Sequence, residues 1–147
     1  MRRRVVLAVG VVAVMLAAMP AVLAGGRPLS AVMTGAAEVA PGDPDGSGSV
    51  MLTLNQGQEE ICFQMELSGV DAPLRAHIHR APAGSNGPIV VFFFDLVIAE
   101  PIPVTFDGCV AAPADLIKEI RQGPEEFYVN VHNAAFPAGA VRGQLEK

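Results

Sequence analysis

Basic clusters, nucleophile motifs and, after its first two dozen residues, long hydrophobic runs are what this sequence lacks. Its 147 residues carry 10 Lys and Arg against 15 Asp and Glu, and the basic residues are scattered once Arg2, Arg3 and Arg4 are set aside. An acidic chain without a basic patch is a poor partner for nucleic acid or for anionic lipid. No G-x-S-x-G elbow occurs, so hydrolase chemistry has no support and no catalytic residue is assigned. "GDPDGSG", from residue 42, has two acids but no closing glutamate at the spacing a calcium loop requires, and it is read as a turn-rich loop. No internal repeat and no long linker interrupts the chain. Histidine occurs three times and cysteine twice.

The one long apolar run is at the start. "MRRR", then "VVLAVGVVAVMLAAM", then small residues around "VLAGG" make the three-part pattern of a secretory signal peptide. The expected cut follows Ala24, which leaves a single domain over residues 25–147. An uncleaved membrane anchor is the alternative. Removal of the three leading arginines takes the formal net charge from −5 to −8. Export to an oxidising compartment predicts one disulfide between Cys62 and Cys109. It also predicts a secreted or otherwise extracytoplasmic protein.

Alternation of apolar and polar residues dominates the remainder. Val50, Leu52 and Leu54 share a face, as do Ile61, Phe63, Met65 and Leu67, and "NQGQ" between them is a turn signal. These two runs predict a β-hairpin. "IVVFFFDLVI", residues 89–98, is too short to span a bilayer and predicts a buried strand. "PADLIKEIRQGP", residues 113–124, breaks the alternation. Leu116, Ile117 and Ile120 have helical spacing, Asp115 suits the first turn, and Gly123 with Pro124 marks the end. The expected fold is all-β, an antiparallel Greek-key-like sandwich with one short helix near 114–122.

Three of the strand candidates carry a polar face. Residues two apart on a strand point the same way. "RAHIHR" therefore groups Arg75, His77 and His79, "FYVNVH" groups Tyr128, Asn130 and His132, and "VRGQLE" groups Arg142, Gln144 and Glu146. If these strands are neighbours, all three histidines converge. Two roles stay open for them: ligands of one copper or zinc ion, or hydrogen-bonding struts within the fold. Arg142 has two corresponding roles, holding an anion or a carboxylate, or bracing a loop.

"LSAVMTGAAEV", "AHIHRAPAGSNGPIV" and "FYVNVHNAAFPAGAVRGQL" are similar to the successive motifs of the CHRD domain, the module named from chordin, over about residues 28–145. The resemblance implies an extracytoplasmic β-sandwich acting as a binding or structural module. Its partner would be an extracellular protein or surface component. A narrower resemblance is to copper–zinc superoxide dismutase. It implies that His77, His79 and His132 match copper ligands and that Arg142 matches an anion-guiding arginine. With no fourth histidine, that resemblance carries at most a mononuclear site.

Overall fold

The computed structural model describes residues 28–95 and 105–147. The expected signal peptide and the end of the "IVVFFFDLVI" run lie outside them. Eight strands follow in chain order: β1 (Leu29–Thr34), β2 (Ser47–Asn55), β3 (Glu60–Ser68), β4 (Pro73–Arg80), β5 (Ile89–Asp95), β6 (Thr105–Ala111), β7 (Phe127–Asn133) and β8 (Val141–Gln144). One helix, α1 (Ala114–Gln122), lies between β6 and β7. All strand pairings are antiparallel, in the order β5-β4-β7-β8-β1-β2-β3-β6. The all-β expectation holds, with the two layers of the expected sandwich joined as a single sheet.

That sheet curls until its two edges nearly meet. Phe63 on β3 lies 4.5 Å from Phe93 on β5 between ring centroids, and Phe94 on β5 stacks on Phe106 of β6 at 5.3 Å. The alternating residues fill the interior as their spacing requires. Val50, Leu52, Leu54, Ile61, Phe63, Met65 and Leu67 are all buried in one core with Ala76, Ile78, Val129 and Val131. The β2–β3 hairpin forms in full register from Ser47↔Ser68 to Asn55↔Glu60. Glu59 closes its turn in the left-handed region at φ 54°.

The helix begins after Pro113, buries Ile117 and Ile120, and ends where the Gly123 N–H donates to Glu119 O. Cys62 and Cys109 are directly opposed across β3 and β6 and form the disulfide. The expectation for β5 needs correction. Val91 and Phe93 are buried, but Ile89 and Phe92 face outward, and Phe92 is 56% exposed. An edge strand has one face on the core, so a continuous apolar run there does not mean burial on both sides. Alternation from Val91 puts Phe92 outward and Phe93 inward, and register shifts leave Val90 and Phe93 without partners on β4.

Candidate metal and polar-cluster site

β4, β7 and β8 are neighbours, so the three polar faces read from the sequence meet on the outside of the sheet. Their register sets the cluster. His77 pairs with Asn130, and Asn130 with Arg142. His79 pairs with Tyr128, and Arg75 with His132. The three imidazoles therefore surround Asn130. Ring centroids lie 5.5 Å apart for His77 and His79 and 5.1 Å apart for His77 and His132. One ligand nitrogen from each histidine falls within 4.8 Å of the other two.

This polar face is not solvated. His77, His79, Asn130, Tyr128 and Arg142 are all buried. The cover is the segment 81–88, which returns over β4, β7 and β8. Gly87 lets it do so: a Cβ there would stand 1.8 Å from Arg80 O. Arg142 clamps it through Ser85 O at 2.6 Å, Pro82 O at 3.4 Å and Asn86 Oδ1 at 3.2 Å. The same guanidinium lies 3.4 Å from the centroid of the Tyr128 ring. Tyr128 in turn stacks on His79 and accepts a hydrogen bond from the Gly87 N–H. Gln144 completes the clamp, donating to Ala81 O and Glu125 O. Arg142 thus braces a loop, with the Glu38 carboxyl within reach of its charge.

The tautomers follow from the partners, because a carbonyl only accepts. His79 Nδ1–H donates to Gly87 O at 2.9 Å, and His132 Nδ1–H donates to Pro137 O at 3.1 Å. Both Nε2 atoms then carry lone pairs. His79 Nε2 is buried without a partner, as are both ring nitrogens of His77. His132 Nε2 lies 3.1 Å from Asn130 Oδ1, and with Nδ1–H on Pro137 O its lone pair is met only if that amide turns to present its NH2 end. Burial lowers all three histidines, with His77 pushed down to about 4. The neighbouring imidazoles and the Arg75 charge add to the lowering at His77. All three are neutral at pH 7, the form that binds metal.

The donor set fits a copper or zinc ion. With nitrogens no more than 4.8 Å apart, some point lies within about 2.8 Å of all three, and shifts of under about 1 Å reach the ~2.0–2.1 Å of a zinc–nitrogen bond. Carbonyl acceptors on the far nitrogens are the usual outer support of metal-bound imidazole.

One member of this site escapes a sequence reading. Glu38, beyond β1, is half-buried, with Arg142 and Asn130 near its carboxyl and its Oε1 buried without a hydrogen-bond partner. Burial raises its carboxyl to about 7, against the pull of Arg142 and Asn130. Its only sequence signal is an acid inside the small-residue stretch "TGAAEV".

The chain matches the CHRD domain over residues 29–145. It belongs to the CHRD family. The second and third motif segments build the histidine cluster, and the first approaches it through Glu38. No curated protein and no solved structure matches the chain. CHRD membership and the disulfide are compatible with an extracellular protein. Among the described residues, no helix is long and apolar enough to cross a membrane.

Proposed function

We propose that this CHRD domain is an extracytoplasmic binding module whose ligand is a copper or zinc ion held by His77, His79 and His132. One observation carries the reading. Three imidazoles converge, those of His77 and His79 with lone pairs unspent, and His79 and His132 are fixed by backbone carbonyls on Nδ1. A buried polar atom without a partner costs free energy of roughly 1–3 kcal/mol, so a cluster of three calls for a ligand. At His132 an ion would take the place of the Asn130 amide. The ion would supply a Lewis-acid centre, and the chain would supply its ligands, their tautomers and the cover of segment 81–88.

The competing reading makes the histidines struts of the fold. The Nδ1 bonds of His79 and His132 suit either role, and His77, bonded to nothing, separates the two. The test is titration of chelator-stripped protein with copper(II) and zinc(II). We expect one equivalent bound with a Kd below about 1 µM, and loss of binding in His77→Ala with the fold retained. Sub-stoichiometric binding, or affinity unaffected by that substitution, would refute the metal reading.

A further inference from the structure

The cluster is buried, and one side of it is bordered by exposed residues. Segment 81–88 closes it beside His79, and Pro137 closes it beside His132. The remaining side is bordered by Phe92, whose ring meets His77 edge-on at 4.8 Å, and by Arg75. Arg75 is exposed, two residues before His77 on the same face, and opposite His132 on β7. Its neighbour on β5 is Asp95. Among the described residues the ion pair is Arg80–Glu119, and Arg75 takes part in none. Arg142, the other cation of this face, is consumed by the loop.

Building on the metal reading above, we propose that Arg75 and the ion held by His77, His79 and His132 together form a binding position for a small monovalent anion. Azide and formate represent the chemical class. Three protein donors leave a tetrahedral ion one position for an exogenous ligand. Three neutral imidazoles leave the ion's full charge uncompensated, and Arg75 adds to it from the exposed side. A planar guanidinium also suits a small anion that bridges to the metal. Burial is the largest cause of the low histidine values, and the Arg75 charge adds to it at both His77 and His132, so its field reaches the cluster. Asp95 opposes it, which fixes the sign of a second test.

The experiment is azide titration of copper(II)-loaded protein, read by the azide-to-copper charge-transfer absorption. Copper stoichiometry is measured first in every sample. Wild type should develop the band, Arg75→Gln should bind azide about fivefold more weakly, and Arg75→Lys should recover most of the loss. Asp95→Asn should tighten binding, and added chloride should narrow the gap between wild type and Arg75→Gln. Loaded wild type without the band, or Arg75→Gln within twofold of wild type, overturns the anion position and leaves the metal reading standing. Failure of wild type to hold one equivalent of copper overturns both.

Discussion

His77 and His79 are two residues apart on one strand, yet their rings have different obligations. His79 holds segment 81–88 through Gly87 O, and His77 holds nothing. Replacing each by phenylalanine should expose the difference. His77→Phe removes two unsatisfied polar atoms and should keep stability within about 1 kcal/mol, while His79→Phe strands a carbonyl and should lose ~1–3 kcal/mol in denaturant unfolding. Both should abolish metal binding. Acidity supplies a second contrast in the metal-free protein. The lowered histidines stay neutral in the fold after they would protonate in the unfolded chain. Their contribution is complete above about 6.5 and is lost as pH falls towards about 4, the value at His77. Glu38 has the opposite sign. Its carboxyl is raised from 4.5 to about 7, so its contribution is present below 4.5 and lost as pH rises through 7. Glu38→Gln should therefore be more stable than wild type at pH 8, with the advantage shrinking on acidification. Chemical denaturation at pH 8 and pH 5 measures it, and equal differences at the two values would contradict the assignment.

At the scale of elements, the segment between β4 and β5 turns three polar strand faces into an enclosed site. Its hold is concentrated in Arg142, so Arg142→Met should destabilise the domain by ~2–4 kcal/mol through carbonyls left without donors. Limited proteolysis should then cut first within residues 81–88. Gly143, beside Arg142, has its own reason: a Cβ there would stand 2.3 Å from Val32 O of β1. Much of this level was legible in the sequence. The period of two in "RAHIHR" and "FYVNVH" put the histidines on shared faces, and the spacing of Leu116, Ile117 and Ile120 marked the helix. The cover was not legible, because it is made by backbone carbonyls of Pro82, Ser85 and Gly87, and carbonyl direction leaves no trace in residue type. Strand adjacency was open for a related reason. β4 and β7 meet across some fifty residues of chain, and nothing local specifies that pairing.

For the whole molecule, closure depends on the edge strands. Among the described residues β6 pairs only with β3, and the disulfide joins Cys109 of β6 to Cys62 of β3 across 47 residues of sequence. Replacing both cysteines by alanine should lower stability by ~3–4 kcal/mol, measured against the oxidised wild type. β5, at the other end of the order, hydrogen-bonds among the described residues only to β4. Strands bonded on one side open at lower free energy than central ones, so amide exchange should be fastest along β5 and β6. Because Phe92 rides on β5 against His77, local fraying of that edge also uncovers His77, a ligand on the metal reading. Removal of bound metal by a chelator should then keep pace with β5 amide exchange, far ahead of global unfolding, making the lifetime of the complex a property of one edge strand.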